Sequence, residues 1–192
     1  MTEFREQFIR IYRENIKREG SEDLFDWLDY YDFFTAPAST RFHSNYEGGL
    51  CEHSVKVYHC LKDRLFMDEE CDYSDETIAI VALLHDVCKV NCYKKDVKNK
   101  KIDGQWVQQD YWAFDEKFPC GDHADKSVII LQNFMKLEPD EILAIRAHMG
   151  EYDSATKGGS HFISRIFERC RLAVHLHLAD TEAAYLKERR VE

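Results

Sequence analysis

The chain has 192 residues, of which 44 % are hydrophobic and 32 % charged, with 8 glycines and 3 prolines. That composition excludes a disordered or fibrous chain, and the length suits one domain, spanning 1–192, with a substantial core. Lys and Arg number 26 against 36 Asp and Glu, a formal charge of −10, which disfavours a duplex-DNA scaffold role and adsorption to anionic membranes but leaves room for a local basic mouth.

Phe4, Phe8, Ile11 and Tyr12 recur at helical spacing and predict an amphipathic helix over residues 3–18. The same charged opening does not read as a secretory signal. Ser21, followed by Glu22 and Asp23, is placed to cap a second helix carrying Leu24, Phe25, Trp27 and Leu28. The stretch Thr35-Ala-Pro-Ala-Ser-Thr40 breaks the pattern, and Gly48-Gly49 predicts a tight turn before a helix over 50–66. Ser74 is a natural cap for the next helix, whose Ile78, Val81, Ala82 and Leu84 lead to His85. No continuous apolar run is longer than Ile78 to Leu84, so no membrane span is expected.

The pattern changes over 91–118, where Asp103-Gly104 separates two alternating arms and predicts a β-hairpin insertion. Helices resume near 122–136. Pro139, with Asp140 and Glu141 behind it, opens another that reaches His148. Gly158-Gly159-Ser160 then opens a last, long helix to Lys187. The expected fold class is all-α, a helical bundle with one small hairpin. Seven cysteines without a CxxC pair read as reduced thiols, and a cytoplasmic location is expected.

His53, His85, Asp86, His123, His148 and Asp180 are the residues with chemical promise. Imidazole mixed with carboxylate suits transition metals better than calcium. His85 and Asp86 at a helix end diverge by about 100° yet both reach a site there, and a carboxylate can bridge two cations. Helix caps and partly exposed helix positions are the alternative reading of the same histidines.

The stretch GGLCEHSVKVYHC followed by IVALLHDVCKV, then GDHADKS, RAHMGEYD and HLHLADTEAAYL, resembles the HD-domain superfamily of metal-dependent phosphohydrolases. It looks closest to the HD part of bacterial 3'–5' exoribonucleases, and the likeness runs from Arg41 to Tyr185. The resemblance implies an HD-type bundle that hydrolyses a phosphate ester of a nucleotide or of the end of a short single-stranded oligonucleotide. It also implies one or two divalent ions: Mn, Fe, Co, Ni, Zn or Mg. By motif, His53, His85, Asp86 and Asp180 would hold the first, and His123 and His148 the second, with Asp86 as the bridge. Two cations about 3.5–4 Å apart activate water and neutralise charge on phosphoryl oxygens. Without metal the acidic and imidazole groups are expected to be unpaired, so metal should stabilise the fold.

Supporting roles each have a plainer alternative. The resemblance places Lys89, in HDxxK, on the substrate phosphate; a salt bridge is the alternative. Lys126 would face the same mouth, and Asp125 would accept from a ligand imidazole. Arg41 and His43 would bind phosphate or protonate the leaving group, or else lie in a surface loop. His177, three residues before Asp180, would support the site, or else be a buried histidine bonded to backbone. Arg146 faces away from His148 and His175 points elsewhere. The hairpin's Lys94, Lys95, Lys98, Lys100 and Lys101, with Trp106, Tyr111, Trp112 and Phe114, would grip a base and phosphate, or simply make a half-buried hairpin. Two other functions suit the same donors: a di-iron oxygenase on this scaffold, and a non-catalytic nucleotide-binding protein.

Overall fold

The computed structural model describes residues 3–188. In chain order it contains α1 (Glu3–Asn15), α2 (Ser21–Tyr30), α3 (Gly49–Phe66), α4 (Asp75–Leu84), β1 (Tyr93–Ile102), β2 (Gln105–Phe114), α5 (His123–Gln132), α6 (Pro139–Ala147), α7 (Ser154–Lys157), α8 (Phe162–Phe167) and α9 (Arg171–Glu182). Short 3-10 turns follow α4 and α6, and a π-helical turn, Ala183–Lys187, follows α9. It is an all-helical bundle with a two-stranded antiparallel hairpin insertion. Among the described residues no helix is long and apolar enough to cross a membrane.

Helix α4 is the axis of the bundle. Every residue from Ile78 to Leu84 is buried, so its apolar run marks a helix enclosed on all sides. It packs on α1, α3 and α6, while α9 packs on α3 and α6. Ser74 caps α4 as expected, its Oγ accepting from the Thr77 amide at 3.1 Å. Pro139 takes the first position of α6, where its missing N–H costs nothing. Glu141, fully buried in the same turn, is met by the Arg18 guanidinium at 2.6 and 3.0 Å and by the Thr77 hydroxyl at 2.9 Å. This cluster ties the α1–α2 connection to α4 and α6.

Two expectations change. Ser21 is the first residue of α2 rather than its cap. Gly20 stands at the cap with φ 85°, and a Cβ there would lie 1.8 Å from the Phe134 carbonyl oxygen, so crowding selects glycine over a hydroxyl. The long helix after Ser160 is instead broken. Ile163, Ile166, Cys170 and Ala173 keep helical spacing, yet Cys170 is extended (φ −126°, ψ 100°) and α9 starts afresh at Arg171. The break buries Cys170 and aims α9 between α3 and α6.

The hairpin register pairs Ile102 with Gln105, leaving Asp103 and Gly104 as a two-residue loop with φ 50° and 83°. Positive φ at both positions is the turn that the Asp-Gly pair favours.

Candidate metal centre

Five separate stretches converge at one end of the bundle. His53 projects from the second turn of α3, His85 caps the C-terminus of α4, and Asp86 follows it where the chain leaves the helix (φ −105°, ψ 16°). His123 opens α5, His148 caps the C-terminus of α6, and Asp180 lies in the last turn of α9. The His53 Nε2 atom is 3.2 Å from His85 Nε2 and 3.2 Å from Asp180 Oδ1. The His85 and His148 ring centres are 4.9 Å apart. Of the six, His123 and Asp180 retain some exposure and the other four are buried.

Asp86 stands at the centre, with its two oxygens facing different partners. Oδ1 is 2.6 Å from His123 Nε2 and 3.6 Å from His148 Nε2. Oδ2 is 2.6 Å from Lys89 Nζ, 3.5 Å from His53 Nε2 and 3.6 Å from His85 Nε2.

The helix ends aim two of the rings. His85 Nδ1 donates to the Ala82 carbonyl at 2.9 Å, and His148 Nδ1 donates to the Ile145 carbonyl at 2.6 Å. Each bond spends one ring nitrogen on the helix's own last turn and leaves Nε2 toward the centre. Both helices also bring the negative ends of their dipoles, which favours a cation.

Glu188, invisible to the sequence reading, closes the cluster. The π-helical turn returns the chain to α3, where Lys56 donates to the Lys187 carbonyl at 2.8 Å. The buried Glu188 carboxylate then accepts from His53 Nδ1 at 2.6 Å, His43 Nδ1 at 2.8 Å and Ser44 Oγ at 2.6 Å. His43 and Ser44 reach it because Gly48-Gly49 folds their loop tightly onto α3. Gly48 has φ 82°, and a Cβ on Gly49 would sit 2.0 Å from the Ser44 carbonyl oxygen. Cys88 was also missed; its Sγ is 3.2 Å from His123 Nδ1.

The electrostatics balance. Burial alone would lower the His53 pKa, but Glu188 and Asp180 raise it to about 10. Burial likewise opposes charge on His123, and Cys88 and Asp86 raise it to about 10. Burial, helped by the neighbouring His148 and His53, outweighs the pull of Asp86 and Asp180, lowers His85 to about 3 and keeps that ring neutral. Burial works against ionised Asp86, Asp180 and Glu188, yet the neighbouring Lys89 and histidines hold all three well below the usual carboxylate range. The expected unpaired cluster is therefore not what forms. Protonated His53 and His123, with Lys89, face the three carboxylates.

One group is left over. His148 Nε2 is buried without a hydrogen-bond partner, a state that ordinarily costs about 1–3 kcal/mol. An orphaned imidazole nitrogen pointing at a carboxylate oxygen, beside four other His and Asp donors, fits a transition-metal ligand set. The clusters His53–His85–Asp180, His85–Asp86–His148 and Asp86–Cys88–His123 can each coordinate a divalent ion.

The other expected site residues divide. Lys89 and His43 line the cavity of about 410 Å³ that opens on Asp86, His123 and Asp180. A second cavity, of about 350 Å³, reaches His43, His148 and Asp180 from beside His177, whose Nδ1 donates to the His148 carbonyl at 2.7 Å. Asp125 does not touch a ligand imidazole: it ion-pairs with Arg146 and closes the capping box of α5. Lys126 is buried against Glu116, which follows the hairpin, instead of facing the mouth. Arg41 stacks over Phe42 at 5.0 Å and lines a groove beside the hairpin, not the metal-site cavity. Far from the centre, Asp68, Cys71 and His175 form another cluster, but Arg171 already holds that carboxylate with two nitrogen contacts.

Comparison with known proteins gives no matching family model, no matching curated protein and no matching solved structure.

Proposed function

We propose that the chain is a metal-dependent phosphohydrolase of the HD type, acting on a nucleotide or the end of a short oligonucleotide. The observation that carries this reading is the division of Asp86 between two donor sets, His123 and His148 on Oδ1, His53 and His85 on Oδ2. That division suits a carboxylate bridging two cations, and the likeness of GGLCEHS and LLHDVCK to HD motifs supports it. His53, His85, Asp86 and Asp180 would hold one ion and His123, His148 and Asp86 the other. Bound cations would supply Lewis acidity, activating water and neutralising charge on the phosphoryl group.

The remaining chemistry belongs to the chain. Lys89, whose ammonium lies at the mouth against Asp86 Oδ2, turns to a phosphoryl oxygen when substrate enters. Glu188 fixes the His53 tautomer through Nδ1 and holds His43 at the cavity wall. His43, at the cavity wall, passes a proton to the departing oxygen. Tyr93 and Met149, both half-buried, give the cavity an apolar lining beside the reacting phosphate.

Asp86→Asn tests the reading. Metal content measured by elemental analysis and hydrolysis of bis-p-nitrophenyl phosphate with Mn, Co, Ni, Mg or Fe are expected to fall together, hydrolysis by about 10³-fold or more. Hydrolysis that survives in the variant overturns the assigned centre. Oxygen uptake without phosphate release by the parent chain replaces the hydrolytic reading with the oxidative one.

A further inference from the structure

We propose that the flank of the hairpin is a binding groove for single-stranded polynucleotide, which leads the chain's end into the metal-site mouth. The inference rests on the phosphohydrolase reading and deepens it: the preferred substrate is an oligonucleotide, held several nucleotides away from the bond that is cut.

The groove encloses about 470 Å³ between the hairpin and the loop before α3 and is lined by Arg41, Lys95, Lys98, Lys100, Tyr111 and Trp112. Its cations stand out in a chain whose formal charge is −10. Nearly every residue of β1 is exposed, so its lysines serve no core. Glu47 and Asp110 also line the groove, and Glu47 pairs with Lys95 at 3.0 Å. With Lys95 taken by Glu47, Arg41, Lys98 and Lys100 face Asp110 alone, so the lining keeps a net positive charge.

Cations cover rings at two points, one on each face of the hairpin ribbon. Lys95 lies over the Trp112 ring at 5.3 Å and Lys98 over the Tyr111 ring at 5.0 Å. Phosphates attract ammonium groups, and bases stack on the flat faces that those ammoniums cover in their absence. A duplex keeps its base faces covered and could use only the lysines. An acidic peptide could likewise use only the lysines.

The groove continues into the reactive cavity. Thr40 lines both, and Arg41 and Phe42 fall to opposite sides of the turn between them. At the mouth, Phe42 is 50 % exposed and Phe114 61 % exposed. Tyr93 touches Phe114 at the foot of the hairpin, with ring centres 6.0 Å apart. Exposed rings at a phosphate-binding mouth are placed for the terminal base, and the lysines beyond them for the phosphates that follow.

Fluorescence anisotropy on the full chain tests this without turnover as the readout. The probes are labelled RNA and DNA single strands of about eight nucleotides, a labelled mononucleotide, and an oligoglutamate of matched charge. The strands are expected to bind at least about tenfold more tightly than the mononucleotide, with a log–log salt slope near −2 from about three phosphate contacts. Lys98→Glu with Lys100→Glu is expected to remove that length dependence while circular dichroism shows an unchanged fold. A preference for RNA or for DNA supports the groove either way and identifies the sugar. Equal affinity for strand and mononucleotide, an unaltered double variant, or oligoglutamate binding as tightly as the strands overturns it. Length-dependent binding with no ester hydrolysis under any metal removes the phosphohydrolase reading and leaves the groove standing. Hydrolysis of small esters without length dependence does the reverse.

Discussion

The end of α4 and the hairpin that follows it lie only a few residues apart in sequence, yet opposite constraints shape them. At His85 and Asp86 burial is nearly complete, and each side chain is held from several directions: Ala82 and His53 for one, Lys89 and His123 for the other. Along β1 almost no side chain is covered. In the first region packing and function are entangled, because any replacement disturbs both. In the second, packing asks for little, so a ladder of lysines beside aromatic rings reports on what approaches from outside.

The strongest way to sharpen this contrast is pH. His53 and His123, raised to about 10, must each lose a proton to offer a nitrogen to a cation. Metal affinity is therefore expected to rise with pH, by about tenfold per unit for each proton shed, and to level off above about pH 10. Calorimetric titration in buffers of different ionisation enthalpy counts those protons; no release would contradict the protonated cluster. Stability without added metal has the opposite sign. Folded pKa values above the unfolded 6.5 give a contribution that is complete below about pH 6.5 and is lost as pH rises through about 10.

Truncation comes next. Leu83→Ala, in the buried run of α4, is expected to cost about 2–5 kcal/mol in urea unfolding. Val97→Ala on the exposed hairpin should stay within about 0.5 kcal/mol. Equal costs would mean that the hairpin is a structural element after all.

A smaller effect should separate positioning from ligation. Glu188→Gln keeps the shape but loses the charge on His53 Nδ1, and metal affinity is expected to drop about 10–100-fold by competition with a chelating dye. The His53 pKa should fall in the same variant, followed by NMR of the ring protons. Unchanged affinity would leave Glu188 a fastener of the C-terminal segment only.

What could be read from sequence was local or strongly patterned. The Asp103-Gly104 turn, the Ser74 cap and Pro139 at a helix start follow from backbone chemistry within a few residues. The grouping of the six His and Asp residues was legible only through the resemblance of their motifs to HD domains, since spacing alone left helix caps open as a reading; the structure puts three of them, His85, His123 and His148, at helix ends. Glu188 was not, since it lies in a charged stretch without periodicity and acts only after a π-helical turn brings it back. Asp125 and Lys126 were misplaced for a related reason: Arg146 and Glu116, which hold them, lie outside their helix, on α6 and in the segment after the hairpin. The interruption at Cys170 has no glycine or proline to announce it, and only the packing of α9 against α3 and α6 requires it.

The bonds from His85 to Ala82 and from His148 to Ile145 make each ring an extension of a helix terminus. Termini are where helices loosen first on warming. The grip on a cation should therefore slacken while the body of α4 is still wound, and the temperature at which a bound cation is released would fall below the temperature at which the bundle melts. A bound ion, in turn, would act as a clasp on both frayed ends at once.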